Sequence, residues 1–101
     1  MMLYAIITED VPDSREKRAA ARDAHMKRMT ELQNAGRLII SGPCPAIDSP
    51  DPGPAGFSGS VIIAEFDSLQ AANDWIAADP YVTSGVFADV TVKPFRKGFP
   101  R

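Results

Sequence analysis

The feature that most constrains the fold of this chain is the order of its short β-rich segments and helix patterns. Residues 2–8 are apolar and β-rich, and the helix pattern after them ends at Gly36. Strand patterns follow at 37–41 and 59–66, then a helix pattern over 69–78 and a last strand over 86–92. The order β-α-β-β-α-β predicts an α+β, ferredoxin-like fold: a four-stranded antiparallel sheet with both helices on one face.

Residues typical of helix N- and C-termini support these element boundaries. Asp13 or Ser14 can cap the first helix, and Asp13 with Glu16 has the spacing of a capping box. Asp79 and Pro80 end the second helix, and the same pair can begin a further helical turn, with the carboxylate as cap. A proline-rich loop is expected over 44–58.

The first strand is apolar on both of its faces. One face carries Leu3, Ala5 and Ile7, and the other carries Met2, Tyr4 and Ile6. A sheet with helices on one side only should present polar residues on the other. Because burying apolar surface is worth roughly 25 cal/mol per Å², we expect a second copy of the chain to cover the free face, forming a homodimer through sheet faces.

Composition excludes several classes of function. The chain has 101 residues and a net charge of −2, which fits a single domain over 1–101 without affinity for nucleic acid. No apolar segment is long enough to span a membrane, so we expect a cytoplasmic protein without membrane partners. Cys44 is the only cysteine, which rules out an internal disulfide and, without a Cys/His cluster, argues against a metal site.

The only histidine, His25, falls at the edge of the apolar stripe of the first helix. An imidazole at that boundary is suited to proton transfer near neutral pH, although it could also simply pack and hydrogen-bond a backbone carbonyl. Arg18 and Arg22 lie on the same stripe. Their charges would favour a neutral imidazole and could hold an anionic ligand; the alternative is a solvated helix face.

A catalytic histidine needs an orienting partner, and Asp79 is the first choice because the end of the second helix can approach the middle of the first. Its alternative role is a helix cap before Pro80. Other candidate partners are Asp48, Asp51 and Asp89. The second strand ends in Ser41, Gly42 and Pro43, where a hydroxyl and an exposed amide could bind a carboxylate or an oxyanion.

Several segments, in order along nearly the whole chain, resemble those of the YciI-like proteins. They are Met2-Leu3-Tyr4-Ala5-Ile6-Ile7, Arg22-Asp23-Ala24-His25, Gly36-Arg37-Leu38-Ile39-Ile40-Ser41-Gly42-Pro43, Gly56-Phe57-Ser58-Gly59-Ser60, Ala64-Glu65-Phe66, Ala78-Asp79-Pro80-Tyr81 and Val92-Lys93-Pro94-Phe95. The resemblance implies a dimeric α/β-barrel, an active site built on His25 and Asp79, and a pocket wall at Ser41, Gly42 and Pro43. Related proteins include muconolactone isomerase and a dehydrochlorinase of a chlorinated hydroxyhydroquinone.

Two functions follow as hypotheses. The first is an enzyme of lyase, isomerase or dehydrochlorinase type, with no metal or organic cofactor. His25 would move a proton at a carbon next to a carbonyl or assist loss of a leaving group, and Asp79 would orient it. Ser41 and Arg22 would position a small anionic or aromatic substrate. The alternative is a non-catalytic module that binds a small ligand in the same pocket.

Overall fold

The computed structural model describes residues 1–101 and has the predicted order of elements. The strands are β1 (Met2–Asp10), β2 (Leu38–Pro45), β3 (Phe57–Phe66) and β4 (Phe87–Phe95), and the helices are α1 (Arg15–Asn34), α2 (Leu69–Ala77) and the short α3 (Pro80–Thr83). All three strand pairings are antiparallel, in the spatial order β2-β3-β1-β4. The predicted ferredoxin-like α+β fold is confirmed.

The second and fourth strands run further than their sequence patterns suggest. β2 continues past Gly42 and pairs Pro43 with Ser60 and Cys44 with Gly59 of β3. Prolines are tolerated there because β2 is an edge strand, so one side of its backbone needs no partner. The predicted loop over 44–58 is therefore shorter, and it contains a 3₁₀ turn at Gly53–Ala55.

The start of α1 differs from the predicted capping box. Ser14 occupies the cap position, but its hydroxyl makes no cap bond to the helix. Instead it donates to Asp10 Oδ2 at 2.5 Å. Asp13 lies outside the helix with φ of 54°, in a tight left-handed turn. The end of β1 therefore binds the first turn of α1, and Asp13 and Glu16 form no capping box.

Arg18 attaches α1 to the sheet. Its guanidinium binds both carboxylate oxygens of Asp10, with Nε to Oδ2 at 2.6 Å and Nη2 to Oδ1 at 2.9 Å. The same Nη2 also donates to the Gly59 carbonyl and to Ser60 Oγ on β3, at 3.1 and 3.0 Å. This buried, bidentate ion pair fixes the height and rotation of α1 above β1 and β3.

The two faces of the sheet have different surroundings. The helix face forms the core, with Ile6, Ile62 and Phe66 almost completely buried. On the opposite face, which no element of the chain covers, Ile7 is 43% exposed and Ile40 is 62% exposed. The chain thus leaves an apolar sheet face open to solvent, as the two-sided pattern of β1 predicts.

Gly59 of β3 lies against the backbone of β1 with no room for a side chain. A Cβ atom added at Gly59 would lie 2.0 Å from the backbone oxygen of Thr8, whereas one added at Gly42 would meet nothing within 4 Å. We therefore expect Gly59→Ala to lower the free energy of unfolding by about 1–3 kcal/mol, because backbone must shift to relieve the overlap. Gly42→Ala, a matched control in the neighbouring strand, should change it far less. Urea denaturation of both variants checks this, and equal stabilities would contradict it.

Candidate functional site

The structure brings His25 and Asp79 together. His25 lies on α1 and is 9% exposed, and its Nδ1 is 2.9 Å from Asp79 Oδ1. Asp79 precedes α3 and is completely buried. The same oxygen also accepts a hydrogen bond from the Tyr81 backbone N–H at 2.9 Å, which caps α3. The two roles considered for Asp79, helix cap and histidine partner, are therefore performed by one carboxylate.

A third donor binds this carboxylate and was not assigned from the sequence. Arg28 Nη1 donates to Asp79 Oδ2 at 2.9 Å, and Arg28 Nη2 donates to the Trp75 carbonyl at 2.8 Å. The guanidinium also lies over the Trp75 ring, 4.4 Å from its centroid. Arg28 is three residues after His25, on the same side of the helix. The three-residue spacing from His25 was the signal available in the sequence. Several arginines lie on α1, however, and spacing alone does not identify which of them contacts Asp79.

The surroundings of Asp79 keep it ionised. Burial by itself would raise the pKa of Asp79, but the hydrogen bonds from His25 and the Tyr81 amide, with the charges of His25 and Arg28, lower that pKa below its usual value. A carboxylate can only accept hydrogen bonds, so the hydrogen-bond geometry assigns a proton to Nδ1 of His25. With a proton on Nδ1, the second ring nitrogen, Nε2, is the one that can accept or release a proton.

The ring of Tyr81 packs against one face of the His25 imidazole. The two rings stack with centroids 4.0 Å apart and planes inclined by 13°. Burial raises the pKa of Tyr81, and this effect outweighs the opposing charges of Arg18 and Arg22. The phenol therefore stays neutral. Tyr81 belongs to the core and also lines the cavity beside His25.

A cavity of about 510 Å³ lies beside His25, between α1, β2 and the segment that leads into β3. Its lining includes the predicted substrate-binding residues Arg22, Ser41, Gly42 and Pro43. The remaining lining residues are Arg15, Arg18, Ala19, Met26, Met29, Gly53, Gly56, Phe57, Ser60, Ile62 and Tyr81. Asp79 does not line the cavity. It contacts His25 on the side of the imidazole away from the cavity. The volume is in the range of small-molecule sites.

The charges at this cavity are all positive. Arg18 lines the cavity but is paired with Asp10, so its guanidinium already has a partner within the fold. Arg22 has no hydrogen bond or ion pair with any other side chain. Arg15 has only a 3.9 Å contact with the exposed Asp13. The lining includes no carboxylate, so an anion entering it would meet no like charge.

The other acids considered as partners of His25 do not reach it. Asp51 bonds within its own loop, where its carboxylate accepts from the Gly53 N–H at 3.4 Å. Asp48 lines a separate shallow hollow in the same loop, and Asp89 is exposed on β4. Cys44 is half-buried in β2 and outside the cavity lining. No cluster of three metal-ligating side chains occurs, and no helix has the length and apolar character to cross a bilayer.

Comparisons with known proteins agree with this architecture. A family model described as the YCII-related domain matches residues 2–96. An uncharacterized protein of Haemophilus influenzae is 54% identical over 98 residues, covering 97% of this chain and all of that protein. Protein YciI of Escherichia coli O6:H1 is 56% identical, also covering 97% of this chain and all of the relative.

A solved structure is similar over nearly the whole chain. It is 5-chloro-2-hydroxyhydroquinone dehydrochlorinase (TftG) from Burkholderia phenoliruptrix AC1100, in complex with 2,5-dihydroxybenzoquinone. The TM-score is 0.85, the sequence identity is 25%, and the match covers 96% of each chain. Family match, full-length relatives and shared fold point the same way: the chain belongs to the YCII-related domain family.

Proposed function

We propose that this chain is an acid-base enzyme acting on a small molecule, of lyase, isomerase or dehydrochlorinase type. One observation carries the proposal: His25 is held at Nδ1 by a buried carboxylate while its ring lines a cavity of ligand size. Such an arrangement fixes the tautomer and orientation of a base and stabilises the imidazolium that forms when it accepts a proton.

The proposed reaction begins with proton removal by Nε2 of His25. The proton comes from a carbon next to a carbonyl or from a hydroxyl of the substrate, and Asp79 stabilises the resulting imidazolium. Arg22, which has no partner in the chain, and Ser41 hold an anionic group of the substrate. General base assistance of this kind contributes roughly 100- to 10,000-fold in rate. Every step uses side chains of this chain, and the proposal includes no metal or organic cofactor.

The dehydrochlorinase relative supports the lyase form of the proposal. Dehydrochlorination removes a proton from the substrate and releases chloride, so the protein must supply one base. The structure of that relative holds a flat, oxygenated six-membered ring. The cavity here offers matching surfaces, with Phe57, Met26 and Met29 as apolar walls and Arg22 as the cation. An isomerase would use the same base and return the proton to a different atom.

We also propose that two copies of the chain pair through the open faces of their sheets. Ile7 and Ile40 are exposed at the centre and edge of this face, and Leu3, Ala5, Val61 and Ile63 are only partly buried. A contiguous apolar surface of this kind is unfavourable in water and is typical of an interface. A second copy offers the complementary surface, because a two-fold interface joins the same patch of both subunits.

The enzyme proposal is tested by His25→Gln, which keeps a polar side chain of similar size but removes the titrating group. We expect turnover of chlorinated hydroquinones, hydroxylated aromatics or lactones to fall roughly 100- to 10,000-fold. Lys27→Gln, on the exposed side of α1, should leave turnover unchanged. Binding of these compounds without turnover by the unmodified protein would instead favour the non-catalytic binding module.

The dimer proposal is tested by Ile7→Lys. A charge at the centre of the open face should separate the subunits, because burying an unpaired ammonium is costly. Leu69→Lys is the matched control: Leu69 is 42% exposed, close to the 43% of Ile7, but lies at the start of α2. Light scattering should give the mass of a dimer for the unmodified protein and Leu69→Lys, and of a monomer for Ile7→Lys. If the unmodified protein is monomeric at micromolar concentration, the dimer proposal is refuted.

The ionised state of Asp79 predicts a pH-dependent stability. The pKa of Asp79 in the folded chain lies below its ordinary value of 3.8, so its contribution is complete above that value. The contribution is lost as pH falls through the folded pKa. At pH 7, Asp79→Asn should unfold about 1–3 kcal/mol more easily than the unmodified protein, and the difference should shrink below pH 3.8.

Urea denaturation between pH 7 and pH 3 measures this difference. Asp74→Asn is the control, because Asp74 is exposed on α2 and only accepts a bond from Gln70. Its effect on stability should not change with pH in the same way. A stability difference for Asp79→Asn that stays constant over the whole range would contradict the assignment of a buried carboxylate.

A further inference from the structure

We propose that Arg28 is a positioning residue that keeps His25 neutral at rest, so that the site starts its reaction as a base rather than as an acid. This inference rests on the proposed function, since the resting charge of His25 matters to catalysis only if His25 exchanges a proton with a substrate.

Asp79 places a buried negative charge beside the imidazole of His25. Asp79 is completely buried and negative, and a lone buried carboxylate beside an imidazole favours the imidazolium. Arg28 changes this balance because its guanidinium binds the carboxylate oxygen that His25 does not use. Arg28 and Asp79 together are neutral, and a proton added to His25 leaves a net positive charge in a poorly solvated place.

The contacts of Arg28 hold its charge in a fixed position beside Asp79. One nitrogen donates to Asp79, a second donates to the carbonyl of Trp75, and the planar group lies over the Trp75 ring. The side chain is 22% exposed, so water screens it only in part. A guanidinium stays protonated at all ordinary pH values. The carboxylate therefore always has a cationic partner, whatever the state of the imidazole.

No other charged group near His25 restores the preference for the imidazolium. On α1 the neighbouring cations are Arg22, three residues before His25, and Arg18, which Asp10 neutralises. On the α3 side stand Asp79 and the neutral phenol of Tyr81. The cavity wall formed by β2 and β3 contributes no charged side chain. Once Arg28 has paired with Asp79, the remaining net charge beside the imidazole is positive.

The test uses the fact that this chain has a single histidine. The proton NMR signal of its imidazole, followed from pH 4 to pH 9 in protein without a histidine tag, gives the pH of half-protonation. Arg28→Gln should move that midpoint upward by about one pH unit, a tenfold change in the protonation equilibrium. Arg28→Lys keeps the charge and should move it by less than about 0.3 unit.

Arg37→Gln is the matched control. Arg37 also lies over an aromatic ring, that of Phe66, and donates to a backbone carbonyl, but it binds no carboxylate. Its removal should leave the midpoint in place. A folded Arg28→Gln protein that titrates like the unmodified one overturns the inference. So does an Arg28→Lys protein whose midpoint rises by a full unit, and this second result decides the question if Arg28→Gln does not fold.

The titration is done without substrate, which separates this inference from the proposed function. An unchanged midpoint refutes the role of Arg28 even if His25→Gln abolishes turnover. Conversely, a raised midpoint supports that role even if no substrate is turned over. Where turnover is measurable, the acidic limb of its pH profile should move with the NMR midpoint in Arg28→Gln, which a purely structural role for Arg28 would not produce.

Discussion

The arrangement of the site depends on one fully buried carboxylate. Asp79 receives hydrogen bonds from the imidazole of His25, the guanidinium of Arg28 and the first amide of α3. A charge taken out of water requires such compensation, since an unpaired one would cost several kcal/mol. The three donors come from α1 and from the start of α3, so satisfying one carboxylate also fixes how these helices meet.

Three of the four arginines on α1 have three different roles. Arg18 binds Asp10 and two groups of β3, and so holds the helix on the sheet. Arg28 compensates Asp79. Arg22 has no internal partner and lines the cavity. Arg18 and Arg28 are each paired with a carboxylate of the fold, whereas Arg22 is left without a partner one helical turn from the imidazole.

Much of this was predictable from the sequence, and the reasons are physical. The order of strand and helix patterns determined the fold, and the fold then placed the end of α2 beside the middle of α1, which identified Asp79 as the partner of His25. The extension of β2 to Pro45 was not predictable, since pairing with β3 overrides the local break at Gly42 and Pro43. The contacts of Arg18, Arg28 and Tyr81 were missed because helical periodicity gives a direction for a side chain but not the group it meets.

The shared use of Asp79 has a consequence for how such a site can change over time. The residue that binds the imidazole also caps α3, so losing it would disturb the backbone as well as the position of His25. A descendant of this chain that had lost the proposed reaction would still be under selection to keep Asp79 for folding. His25 caps no helix, so we expect its replacement, rather than that of Asp79, to come first in a lineage that had lost the proposed reaction.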